Sequence, residues 1–253
     1  MHPIEAQLEQ GLARLRGPLA IAYLQDHTAT LLPPGRLHEV LVKVTASSRV
    51  VAVTLGTRPD CLPEPILDVL ASHAARIDLM VELGLQTTNE EALRLVNRQH
   101  TARCFELAIR RLRHRNIRTC AHVILGLPGG GTWQPLGIDD AVATARFLGR
   151  LGVDAVKIHN CHVLDGTALA DLYHKGLYDP PDLEGYIARL VALLEHLPPS
   201  VEIHRLVGEA HPPLLLAPSF TAEKARALTR IRSALEERDT WQGRLFPGAT
   251  PGR

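Results

Sequence analysis

Apolar residues along this chain come in short β-branched runs, separated by longer stretches in which they recur every three or four positions. Six runs read as strands: residues 19–24, 49–56, 78–85, 119–125, 155–159 and 201–206. Between them, 62–75, 90–96, 101–113, 138–151 and 185–197 carry helical periodicity, as Ile187, Leu190, Val191 and Leu194 illustrate. Ala225, Leu228 and Ile231 repeat the pattern in a last helix. Alternating strands and helices of this kind predict repeated βα units around parallel strands.

Two parallel architectures share that alternation, and the strand faces separate them. Val81, Leu83 and Leu85 fall on one face of the third run, with Glu82, Gly84 and Gln86 on the other. Val53 and Leu55 oppose Thr54, Gly56 and Arg58, while Val156 and Ile158 oppose Lys157 and His159. Val201 and Ile203 likewise oppose Glu202 and His204. A doubly wound sheet buries both faces under helices and favours continuous apolar strands. Aliphatics on one face, with polar groups gathered toward the C-terminal strand ends on the other, predict a TIM-like (βα) barrel with its site at the C-terminal mouth.

Composition narrows this little. At 253 residues and 45% apolar, one barrel domain is expected over 1–236, followed by a loose tail over 237–253 rich in Gly and Pro. A net charge of +1 gives no independent support for nucleic acid. No run approaches the ~18 apolar residues of a membrane span, so a cytoplasmic protein is expected. Cys61, Cys104, Cys120 and Cys161 form no CxxC or CxxxCxxC spacing and are expected as free, mostly buried thiols.

Several segments carry a resemblance. Val53-Thr54-Leu55-Gly56-Thr57-Arg58-Pro59-Asp60-Cys61, Glu82-Leu83-Gly84-Leu85-Gln86-Thr87 and Asn97-Arg98-Gln99-His100 come first in order. His122-Val123-Ile124-Leu125-Gly126-Leu127-Pro128-Gly129, Val156-Lys157-Ile158-His159 and Leu164-Asp165-Gly166-Thr167 follow, then His204-Arg205 and Leu214-Leu215-Leu216-Ala217-Pro218. In this order they resemble radical S-adenosylmethionine (SAM) proteins, and more narrowly the YhcC-like branch related to the Elongator catalytic subunit. The resemblance implies an α/β fold, a partial TIM-like barrel of the radical SAM type, with SAM and a 4Fe-4S cluster as cofactors. In the family, a first strand and a CxxxCxxC loop supply the three cluster thiolates. This chain is expected to start after them, in the first helix, with the first strand missing and no residue assignable as a cluster ligand. Gln99 stands where the family usually has Gly, and Gly130 where it usually has Glu.

The resemblance implies SAM contacts for Glu82, Gln86, Arg98 and Gly126, with Arg98 on the SAM carboxylate. From the residues alone, Glu82 reads equally as a buried acid paired with Arg58, and Arg98 as a solvated helix-end cation. Thr88 and Glu91 have capping-box spacing ahead of it. Arg58, Asp60, His159, His204 and Arg205 are expected to line a substrate pocket. Lys157 is the candidate catalytic residue, with three readings: a charge near SAM or substrate, a Schiff-base nucleophile of the aldolase type, or a counter-charge to Glu82 or Glu202. No metal site is expected from His122, His159, His162 and His204, which lack ligand spacing. Residues 126–131 lack the GK[ST] ending of a P-loop and read as a strand-to-helix turn that lets SAM approach. Cys61 and Cys161 read as structural.

By resemblance, the complete form cleaves SAM reductively to a 5′-deoxyadenosyl radical that acts on an unknown substrate, with RNA suggested by family analogy only. This chain, lacking the cluster cysteines, is expected to be inactive as it stands. The alternatives are a non-catalytic SAM- or partner-binding barrel remnant and a Schiff-base aldolase using Lys157. An open barrel edge is expected to favour self-association.

Overall fold

The computed structural model describes residues 4–25, 28–129, 131 and 133–247. The chain divides into two units, Met1–Gly84 with Cys104–Cys120, and Leu85–Arg103 with Ala121–Arg253. In chain order the elements are α1 (Ile4–Arg14), β1 (Ala20–Leu24), α2 (Pro34–Thr45), β2 (Val50–Thr57), α3 (Glu64–Ala74) and β3 (Asp78–Gln86). Next come α4 (Glu90–Leu95), α5 (Ala102–Arg113), β4 (Arg118–Leu125), the two-residue strands β5 (Pro128–Gly129) and β6 (Gln134–Pro135), and α6 (Ile138–Leu151). The chain continues with β7 (Ala155–Asn160), β8 (Val163–Leu164), α7 (Ala168–His174), α8 (Leu183–His196), β9 (Glu202–Arg205), β10 (Leu215–Ala217) and α9 (Lys224–Glu237). The long strands follow the order β1-β2-β3-β4-β7-β9, and the pairs β1–β2, β2–β3 and β7–β9 are parallel. All six strands lie where the apolar runs predict them, within a residue or two at each end.

In the first unit, α2 buries Leu37, Val40, Leu41 and Val44, and α3 buries Ile66, Leu67, Leu70 and His73. This spacing puts each set on one helical stripe. α1 differs, because none of its residues is buried. Ile4, Leu8 and Leu12 instead line an open apolar groove of about 380 Å³ with Ile21 and Tyr23 of β1. β1 stands at the end of the strand order and leaves Leu19, Ile21 and Tyr23 exposed.

In the second unit, the apolar face of α8 is buried through Tyr186, Ile187, Leu190, Val191, Leu193 and Leu194. Three details differ from the sequence reading. α4 starts one turn-position later than Thr88 implies: Asn89 is its cap, accepting from Ala92 N at 3.0 Å, and Thr88 Oγ1 bonds Thr144 Oγ1 at 3.1 Å. Asx side chains reach the N3 amide as readily as Thr, so the residue nearer the helix takes the role. The turn after β4 contains a short antiparallel pair, β5 with β6, before α6 begins. The segment after α9, read as loose, is tied down. Thr240 Oγ1 donates to Glu195 Oε1 at 2.5 Å, and Gln242 Nε2 donates to the carbonyls of Pro198 and Val201 at 2.7 and 2.8 Å. Gly243 N and Leu245 N donate to the carbonyls of Leu194 and Glu195. Residues 248–253 of that tail lie outside the described residues. Among the described residues, no helix is long and apolar enough to cross a membrane.

Candidate functional site

The expected site residues divide between the units. In the first, Arg58 follows β2 and closes a two-point ion pair on Asp60, with Nε and Nη2 at 2.9 and 2.7 Å from the two carboxylate oxygens. That bond raises the guanidinium pKa further. The Arg58–Glu82 pairing considered from the sequence is therefore not the one formed; the nearer carboxylate, two residues on, wins the fork. Glu82, 7% exposed in β3, accepts the Tyr23 hydroxyl. Thr30, also buried, bonds Thr57 Oγ1 and the Cys61 carbonyl, each at 2.5 Å, and so fixes the turn that carries Arg58.

The second unit holds the larger gathering. Gln86 ends β3 at φ +69° and is 8% exposed, and its Oε1 is buried without a hydrogen-bond partner. Gly126 follows β4 at φ +82°, where a Cβ would meet the Pro181 ring at 2.8 and 2.9 Å. Only glycine meets both demands. Its carbonyl accepts the Tyr178 hydroxyl at 2.6 Å. Arg98 lies in the turn after α4 and donates from Nε to His100 Nε2 at 2.8 Å. Asn97 and Gln99 on either side have φ of +52° and +61°.

β7 supplies the rest. Lys157 and His159 are half-buried on one face, and the chain leaving the strand adds Asn160, Cys161 and His162. The His122 and His159 rings meet edge to face with centroids 4.3 Å apart, and His162 stands 6.4 Å from His159. Burial, then the basic neighbours His122, Arg205, His162 and Lys157, push His159 down to about 3, so the ring is neutral at physiological pH. Its Nε2 accepts from Arg205 Nη1 at 2.6 Å. Burial lowers His162 as well, and its Nε2 is buried without a partner. His159, His162, Ile124, Leu127, Trp133 and Asn97 are among the walls of a cavity of about 530 Å³. The site thus combines an apolar enclosure with uncharged hydrogen-bonding edges, which suits a flat heterocycle.

His159 and Arg205, expected in one pocket, are brought together. His204, Arg205's neighbour in β9, lies at a break in the register with β7 and has its Nε2 3.2 Å from Glu202 Oε2. Sequence reasoning left His162, Asn160 and Tyr178 out of the site. Their only signal is position immediately after β7 or a long-range partner, neither of which periodicity reports.

With this geometry, the comparisons are informative. Residues 3–134 match the radical SAM superfamily model, and residues 153–237 match the radical SAM C-terminal domain. The chain is 36% identical over 226 residues to the uncharacterised protein YtqA of Bacillus subtilis, covering 89% of this chain and 68% of that protein. It is 30% identical over 218 residues to YhcC of Escherichia coli K12, covering 86% and 69% respectively. The fold is similar to that of archaeal Elp3 from Methanocaldococcus infernus, with a TM-score of 0.74 and 20% identity, over 94% of this chain and 59% of that one. The chain belongs to the radical SAM superfamily, and its fold is the α/β half-barrel type of that family.

The family leads one to expect SAM and a 4Fe-4S cluster, and the residues present fit them unequally. Gln86 Oε1 and His162 Nε2 are suited to hydrogen bonds with SAM's adenosyl group. Cluster binding needs several deprotonated thiols brought together on one cluster. Cys120 is buried in β4, and burial raises the Cys104 thiol. Cys161 is buried, and that burial pushes its thiol up to about 11. The cysteines of this chain do not fit a cluster.

Proposed function

We propose that this chain is a SAM-binding radical SAM half-barrel that does not assemble the cluster from its own residues and therefore does not cleave SAM by itself. The adenine is assigned to the cavity bounded by Ile124, Leu127, His159 and His162, in the second unit. His162 is the hydrogen-bonding group for its edge, and Gln86, in an adjoining crevice that shares Ile124, is the one for the ribose. Arg98, carried on the turn after α4, orients the carboxylate of the methionyl end. When bound, SAM supplies an adenosyl group and a sulfonium in this family; the residues here hold and desolvate it. The uncommitted, buried Gln86 Oε1 and His162 Nε2 carry the reading, because unpaired buried polar atoms are costly and a ligand completes them. An RNA substrate for any complete form rests on the likeness to Elongator-type proteins alone.

The test is equilibrium binding of SAM and S-adenosylhomocysteine to the full chain. The expected result is saturable binding that weakens about tenfold in Gln86→Leu and in His162→Phe, each loss corresponding to one hydrogen bond to a buried group. Wild-type affinity in both variants would overturn the assignment.

A further inference from the structure

β9 brings into the second unit a cation that, among the described residues, is paired with no acid. Arg205 is half-buried, and among the described residues its hydrogen bond is to His159 Nε2, at 2.6 Å. An imidazole that accepts on Nε2 is the neutral tautomer with its proton on Nδ1, so it offers no counter-charge. Two arginines with carboxylate partners show the contrast. Arg58 closes on Asp60 and Arg230 on Glu184, both through two N–H groups. A guanidinium has five N–H donors, and Arg205 spends one of them on a ring nitrogen.

The surroundings are basic and rigid. Lys157 is the register partner of Arg205 on the adjacent parallel strand, which puts the two side chains on the same face. The groups whose charge acts on His159 are His122, Arg205, His162 and Lys157, all basic. Asn160, 4% exposed, accepts from Gly208 N at 3.0 Å and donates to Thr221 Oγ1 at 2.7 Å, which fixes the chain leaving β9. Gly208 lies directly against the rings: a Cβ there would fall 2.7 Å from His162 Nε2 and 2.8 Å from His159 Nδ1. His159 is thus clamped between Gly208 and Arg205. The guanidinium is held in place, partly desolvated and without an anion, an arrangement that is unfavourable until one binds.

We propose that Arg205, with Lys157 beside it, receives an oxyanion of the substrate, a carboxylate or a phosphate group, next to His159. The inference deepens the reading given above, since His159 also borders the cavity assigned to adenine, and adenosine separates the two. The guanidinium fork presents two parallel N–H groups to two oxygens of the anion, while His159 accepts a third and keeps the plane from turning.

Titration calorimetry of the full chain with sodium acetate, inorganic phosphate, adenosine and S-adenosylhomocysteine tests it, using Arg205→Gln, Arg205→Lys and the exposed control Arg94→Gln. The expected result is that one of the anions saturates wild type and binds about tenfold more weakly to Arg205→Gln, with Arg205→Lys between them and Arg94→Gln unchanged. The tighter anion identifies the substrate group. Imidazole nitrogen signals of His159 should shift on saturation, a response that a merely structural arginine would not give. Adenosine and S-adenosylhomocysteine should bind wild type and Arg205→Gln alike. Failure of both anions to saturate overturns the inference, as does equal weakening in Arg94→Gln. Loss of S-adenosylhomocysteine in Arg205→Gln would move the guanidinium to the cofactor and remove the substrate assignment. If adenosine binds nowhere while an anion binds through Arg205, the adenine reading fails and this one stands. Should Arg205→Gln not fold, Arg205→Lys carries the comparison.

Discussion

Gln99 shows how a single departure from the family pattern becomes physical. Its φ of +61° lies in the left-handed region, where a Cβ costs about 1 kcal/mol and glycine costs nothing. Gln99→Gly should therefore raise stability to urea by up to about 1 kcal/mol, less the extra chain entropy of glycine. A destabilised variant would show that the Gln99 side chain has a role of its own. His159 makes a second prediction. Its folded pKa of about 3 lies below the ordinary 6.5, so the unfolded chain takes up the proton first as pH falls. Its contribution is complete above about pH 6.5 and is lost progressively toward 3, in the same direction as those of His73 and His162. Melting temperatures of wild type between pH 7.5 and 5 should fall with acid, and those of His159→Gln, whose amide oxygen can still accept from Arg205, should fall less steeply. Equal slopes would contradict the neutral ring. At this scale the sequence was legible where a residue's strand parity decides its face, as for Lys157 and His159. It was not legible for His162, Tyr178 and Gly208, which reach the site through turns and long-range bonds that no spacing encodes.

Among elements, the βα alternation was readable because each strand run is bounded by turn residues and each helix has one apolar stripe. The exact cap of α4 was not, since Thr88 and Asn89 both have suitable side chains and only the packing of Thr88 against Thr144 decides between them. Asn89 also donates to Asp140 Oδ1 at 2.7 Å, which ties α4 to the first turn of α6. Replacing Asn89 with Ala removes the cap and this bond together, and thermal or urea unfolding should register a loss of about 1–2 kcal/mol. A change within error would mean that Thr88 takes over the cap. The segment after α9 misled for a related reason: Gly and Pro mark breaks in regular structure, but they say nothing about backbone bonds made to another helix. Gly243, at φ +83° and against the Pro199 ring, is a glycine needed for docking rather than for looseness.

For the whole molecule, family membership and fold rest on matches that span most of the chain, and the cofactor question rests on the cysteines. Four thiols without cluster spacing, two of them buried and one of these pushed up to about 11 by burial, leave SAM binding as the family property that these residues support. The sequence made this visible by what its motifs contain and by where its cysteines stand. It could not show the cavity, because that depends on His159 of β7 and His162 just beyond it meeting Ile124 of β4 and the turn that carries Asn97. The most direct measurement is anaerobic reconstitution of the full chain with iron and sulfide, followed by desalting and assay of iron, sulfide and bound SAM on the same sample. The account predicts saturable SAM binding with iron well below the about four ions per chain of a 4Fe-4S cluster. Near-stoichiometric iron and sulfide, with a thiolate-to-iron absorption band lost in a Cys61→Ser or Cys161→Ser variant, would contradict it.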